Sequence, residues 1–147
     1  MVAIAARCVC GNPTVVKTAP RLPDGTPFPT TYYLTHPDAV AGASFLEAGG
    51  VMAEMTARLS HDSELASAYR AAHEAYLADR YELEDIPETH GISAGGMPTR
   101  VKCLHVLVGH ALAAGPGVNP LGDEALALMA DRWRPDRCTC AALVEDH

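Results

Sequence analysis

Cys8 and Cys10 flank a single valine in the stretch "RCVCGNP", which runs straight into a Gly-Asn-Pro turn. Two residues at i and i+2 on a turn can aim both sulfurs at one point. Thiolates suit zinc or an iron–sulfur cluster. The chain has five cysteines, an odd count, and the C-x-C spacing recurs at Cys138 and Cys140. In a reducing compartment such pairs are more often metal-binding or redox-active than disulfide staples. A catalytic dithiol here would lack the helix N-terminus that lowers a thiol pKa.

Closing a tetrahedral site takes two more ligands. The available donors are Cys103, His105, His110, Cys138 and Cys140. Cys103 and His110 would share a helix face but stand ~10.5 Å apart along its axis, too far to share one ion. Cys103 and His105 differ by ~200° around a regular helix, so they converge only if its first turn is irregular. The preceding Gly95-Gly96 and Pro98 permit that. The expected ligand set is therefore Cys8, Cys10, Cys103 and His105, with Cys138 or Cys140 as the alternative fourth ligand. Zinc leads because a histidine is to hand. The alternative is an iron–sulfur cluster on Cys8, Cys10, Cys103 and one tail cysteine. The contrary reading is no bound metal, with free thiols and Cys103 a small buried apolar residue.

A second constellation is "SAGGMPTRVK", where Ser93, Gly95 and Gly96 precede a helical pattern carrying Arg100 and Lys102. Free N–H groups at a helix start favour an anion, Arg adds a bidentate donor and Lys a point charge. A small phosphorylated or carboxylate ligand would fit, although the full P-loop pattern is absent. The competing reading is a loop entering a helix with two solvated basic residues. If the chain is an enzyme, His105 or His110 would serve as acid or base. Arg21 and Asp24 flank a turn and are further candidates, or simply a surface pair worth little. His73, between Tyr69 and Tyr76 on a helix, reads as a packed histidine. No G-x-S-x-G, H-E-x-x-H or G-x-G-x-x-G occurs in the chain, which removes the usual support for several enzyme classes.

These residues need elements to position them. "MVAIAARC" and "PTVVKTAP" are β-prone runs separated by "VCGN", a hairpin pattern. Pro23-Asp24-Gly25 is a turn, and "TTYYLT" reads as a third strand. From residue 36 the period becomes helical, and Gly49-Gly50 divide that stretch in two. "DSELASAYRAAHEAYLADRYELED" is the strongest helix, with Asp62 or Ser63 as its cap and Leu65, Tyr69, Ala72 and Tyr76 as its apolar stripe. "PTRVKCLHVLVGHALAAG" predicts a helix over 98–114, with Pro98 in the first turn and Gly115 at the end. "DEALALMADRW" predicts a last short helix. The fold class is α+β: a small N-terminal antiparallel sheet over 1–35, about five packed helices over 36–134 and a tail over 135–147, all in one domain.

Composition narrows the partners. The net charge of −7 argues against nucleic acid, whose affinity rests on Lys and Arg meeting phosphates. No apolar run approaches the ~18 residues of a membrane span. "MVAIAARC" is too short for the apolar region of a signal peptide. The expected setting is the cytoplasm.

Three stretches together, "RCVCGNPTVVKTAPRLPDGTPFPTTYYLT", "GISAGGMPTRVKCLHVLVGHALA" and "NPLGDEAL", make the chain resemble the bacterial family called domain of unknown function 501, in its actinobacterial form. The likeness runs over nearly the whole chain. It implies no established reaction. It does imply that Cys8, Cys10, Arg21, Asp24, Gly25, Cys103, His105 and His110 match motif positions of the family, and that the two-cysteine tail is a less regular part of the pattern. Family members usually carry a further N-terminal extension. A truncated gene model or a missing edge element would account for its absence here.

Overall fold

The computed structural model describes residues 2–92 and 94–140. Ser93, expected at the anion site, and the tail beyond Cys140 lie outside the described residues. Three strands come first: β1 (Ala3–Arg7), β2 (Pro13–Lys17) and β3 (Tyr32–Leu34). They form one antiparallel sheet in the order β1-β2-β3. Five α-helices follow: α1 (Pro37–Ala48), α2 (Val51–Leu59), α3 (Ser63–Leu83), α4 (Leu104–Ala114) and α5 (Pro120–Leu128), with 3-10 turns at Pro87–Thr89 and Ala94–Gly96. The α+β expectation holds.

Local chemistry sets several boundaries. Gly50 adopts φ 82°, a left-handed conformation that separates α1 from α2. Asp62 caps α3 by accepting the Leu65 N–H. His36 caps α1, its ring Nδ1 accepting the Asp38 N–H at 3.1 Å. At the β1–β2 connection Cys8 O accepts the Gly11 N–H at 2.8 Å, and Cys8 N–H donates to Asn12 O at 2.7 Å. Gly11 sits at φ 98°, which a side chain would resist. The turn thus holds Cys8 and Cys10 on one knuckle.

Helix α4 is the centre of the core. Leu104, Val106, Leu107, Val108, Gly109, His110 and Ala111 are all buried, so this helix is enclosed on nearly every side. Two glycines allow its neighbours to come close. A Cβ on Gly109 would stand 2.7 Å from Tyr32 O of β3, and one on Gly122 of α5 would collide with Leu107 O. Tyr69, Ala72 and Tyr76 of the expected α3 stripe are fully buried against this core. Arg80, on the same helix, is buried too and donates to Pro29 O at 3.1 Å and Thr89 O at 2.6 Å. Those bonds satisfy a charge that would otherwise be costly inside.

Two helices differ from expectation: α5 runs Pro120–Leu128, capped by Asn119, rather than over 123–133, and α4 starts late. Helix α4 begins at Leu104, not at Pro98, with Cys103 as its extended N-cap at φ −150°. The segment before it curls back: Lys102 N–H donates to Gly95 O at 2.7 Å and Arg100 N–H to Gly96 O at 3.1 Å. Gly95 and Gly96, both at positive φ, make that curl. Two N–H groups of the expected first turn are thus spent on the curl, and a third, that of Val101, goes to Thr56 Oγ1 at 3.0 Å.

Candidate metal centre

The turn after β1 delivers Cys8 and Cys10 to the C-terminal segment, where they meet Cys138 and Cys140. One sulfur from each of the four lies within 4.8 Å of every other. All five cysteines of the chain are free thiols. Cys8 and Cys140 are buried, while Cys10 and Cys138 face solvent, so the cluster has a sealed side and an open side. A zinc ion at ~2.3 Å from four sulfurs places those sulfurs ~3.8 Å apart. The four thiols are therefore already gathered to nearly the spacing such an ion imposes.

Neighbouring groups orient the cluster. His36 Nε2 stands 3.3 Å from Cys140 Sγ. Because Nδ1 of that ring accepts the Asp38 N–H, Nε2 carries the proton and points it at the sulfur. Cys140 N–H donates to Cys138 Sγ at 3.4 Å. Trp133, fully buried, packs on the His36 ring with centroids 5.4 Å apart. Thr139 donates its hydroxyl to Asp38. The segment after α5 is thus tied to the N-terminus of α1, which brings the tail thiols to the hairpin.

The protons of the four thiols are unevenly held. The Asn12 backbone N–H, with the neighbouring thiols, brings Cys10 down to about 7. Burial pushes Cys8 up, against the pull of the Cys10 backbone N–H. The Asn12 side chain works to lower Cys140, but burial and the other three thiols outweigh it and push that thiol up to about 12. Four thiolates this close repel one another unless a cation sits among them. Tetrahedral S4 donor sets take zinc or iron, and these residues fit such an ion.

The expected set of Cys8, Cys10, Cys103 and His105 is divided by the structure. Cys103 and His105 gather instead with Glu47, one ligand atom of each lying within 4.8 Å of the others. Glu47 Oε2 is 3.1 Å from His105 Nδ1 and also accepts the Leu104 N–H at 2.8 Å. Cys103 Sγ is 3.8 Å from the same imidazole nitrogen. Cys103 and His105 converge because Cys103 is an extended N-cap, outside the regular helix. Burial raises the Cys103 thiol, with the Val106 N–H working against it.

The remaining candidates are placed as follows. The Glu47 carboxylate, not an external anion, meets the first N–H of α4. Arg100 and Lys102 line a cleft of about 690 Å³ that Glu47 also borders. Arg21 pairs with Glu88 at 2.6 Å, not with Asp24. Asp24 accepts the Thr26 N–H at 2.9 Å and closes its own turn. His110 has no exposed surface. It lies between the rings of Tyr32 and Tyr76, with centroids 5.8 and 5.2 Å away, and receives Asn119 Nδ2 at 3.1 Å. His73 is buried, as a packed helix-face histidine should be. Sequence reasoning missed Glu47 and His36. Neither stands at ligand spacing from another donor, although the His36-Pro37-Asp38 stretch carries a cap signature.

The model of the protein family of unknown function DUF501 matches residues 4–127, and the chain belongs to that family. The matched span takes in Cys8, Cys10, Glu47, Cys103 and His105, and it ends before Cys138 and Cys140. No curated protein and no solved structure matches the chain.

Proposed function

We propose that this chain is a metal-binding protein in which one zinc ion, held by Cys8, Cys10, Cys138 and Cys140, ties the β1–β2 turn to the segment after α5. The observation that carries this reading is the meeting of four free sulfurs within 4.8 Å, drawn from the two ends of the sequence. Four protein ligands leave no position for substrate, so the ion is structural or regulatory. His36 orients the site by donating to Cys140, as outer partners of metal ligands do. An iron ion or iron–sulfur cluster is the runner-up for the same donor set. Such thiols stay reduced in the cytoplasm, which is the compartment this reading implies. Among the described residues no helix is long and apolar enough to cross a membrane.

Metal analysis of protein purified without oxygen, with its absorption spectrum, tests the reading. Zinc at one equivalent or more, with one equivalent lost in Cys10→Ser, is expected. A metal-free protein that gains no thermal stability from added zinc would contradict it.

A second reading, an enzyme acting on a small anionic or phosphorylated metabolite, is favoured by one observation: Arg100 and Lys102 share a cleft with Glu47. There the two cations would hold the anion, and His105, which meets Glu47 from beyond the cleft's lining, would move the proton through that carboxylate. Arg100→Ala should then weaken binding of phosphorylated metabolites. Unchanged binding across a panel of them would remove this reading.

A further inference from the structure

From the geometry around the start of α4 we infer a second metal site, of the open kind, on Glu47, Cys103 and His105. It lies apart from the four-cysteine cluster and does not depend on it. Three different donor types converge there: a carboxylate from the end of α1, a thiol from the N-cap of α4 and an imidazole from its first turn. Zinc bound at ~2.3 Å to sulfur and ~2.05 Å to nitrogen and oxygen sets the donors ~3.6 Å (S to N) and ~3.3 Å (N to O) apart in a tetrahedron. The structure places Cys103 Sγ 3.8 Å and Glu47 Oε2 3.1 Å from His105 Nδ1. On these two edges shifts of a few tenths of an ångström suffice, and the third, from Cys103 Sγ to the Glu47 carboxylate, lies within 4.8 Å.

The surroundings fit a ligand set rather than a simple ion pair. His105 Nε2 faces Ser44 Oγ at 3.1 Å. With Nδ1 on a metal, Nε2 carries the proton and donates it to Ser44, the outer-partner arrangement common for metal-bound histidine. Glu47 Oε2 is pinned by the Leu104 N–H, so the carboxylate is held without a search. The His105 and Glu47 side chains remain 27% and 24% exposed, which leaves the site reachable. A cavity of about 210 Å³ opens on Cys103 and His105, walled by Leu34, Val40 and Val106. Three protein ligands beside a cavity leave the fourth position for water or a small anion. On its other side Glu47 borders the cleft of Arg100 and Lys102, cations suited to attract that anion.

The test is a cobalt titration of the full chain, stripped of metal and kept reduced. Two equivalents should bind. The first brings the intense absorption of a multi-thiolate site and disappears in Cys8→Ser/Cys10→Ser. The second persists in that variant, disappears in His105→Ala, and changes its visible spectrum on addition of azide. Ser44→Ala should weaken the second site by roughly 10-fold while leaving the first alone. His105→Ala that still binds the first equivalent has kept its fold. An unaltered chain that binds only the multi-thiolate equivalent, or none, a second equivalent that survives His105→Ala, or one blind to azide would each overturn the inference. Failure of the four-cysteine site alone would remove the first equivalent and leave the second standing.

Discussion

His36 Nε2 stands 3.3 Å from Cys140 Sγ, while the other nitrogen of the same ring caps helix α1. One side chain therefore serves two purposes, and substitution can separate them. Asn is a good cap but too short to reach the sulfur, so His36→Asn should hold the helix start and loosen the metal. His36→Ala should lose both. The cap is worth about 0.5–2 kcal/mol, and an outer partner of a metal ligand about 10–100-fold in affinity. Urea unfolding with a competitive chelator titration checks both; equal zinc affinity in all three proteins would contradict the role given to His36.

Metal removal should destabilise the chain. An ion that binds only the folded state at a thousand times its Kd contributes about 4 kcal/mol. For a chain of this size that corresponds to roughly 10 °C in Tm. Calorimetry with and without a strong chelator measures it. Cys10→Ser should already sit at the lower Tm and respond little to chelator.

Much of the fold can be read without coordinates. The Gly49-Gly50 break, the Asp62 cap and the Cys8–Gly11 turn are local features, set by φ preference and by side chains satisfying nearby N–H groups. The start of α4 is not local in that sense. Gly95 and Gly96 turn the chain back so that Lys102 bonds to Gly95 O, and only the closed loop reveals it. The site divides the same way. A C-x-C turn announces a ligand pair, but which distant thiols it meets is decided by topology. Here the buried Trp133 and the His36 ring bring residues 138–140 to the hairpin, while Glu47 collects Cys103 and His105. No spacing rule links Glu47 to α4.

The buried histidines predict a direction for pH dependence. Burial lowers the pKa of His110, and burial with the nearby Arg70 lowers that of His73, each from 6.5. The unfolded chain then binds protons that the folded one refuses, so stability is full above about pH 6.5 and falls as the pH drops through that value. The His110 imidazole should stay neutral in an NMR titration to a pH below that at which an exposed histidine protonates. Its protonation at an ordinary value would contradict the sealed position between Tyr32 and Tyr76.

Close backbone approach predicts a costly small change. Gly109→Ala places a methyl 2.7 Å from Tyr32 O, backbone that cannot swing aside. Overpacking of this kind costs about 1–3 kcal/mol. Gly117→Ala, where the backbone is left-handed but the space is open, strains the turn without pushing α4 off β3. Only the first should disturb the Tyr32 ring environment, which near-UV circular dichroism reads.

X-ray absorption on the full, reduced chain loaded with one equivalent of zinc tests the four-thiol centre most directly. Four sulfur neighbours at about 2.3 Å are predicted. A first shell mixing nitrogen or oxygen with sulfur, or zinc that fails to bind at all, would contradict it.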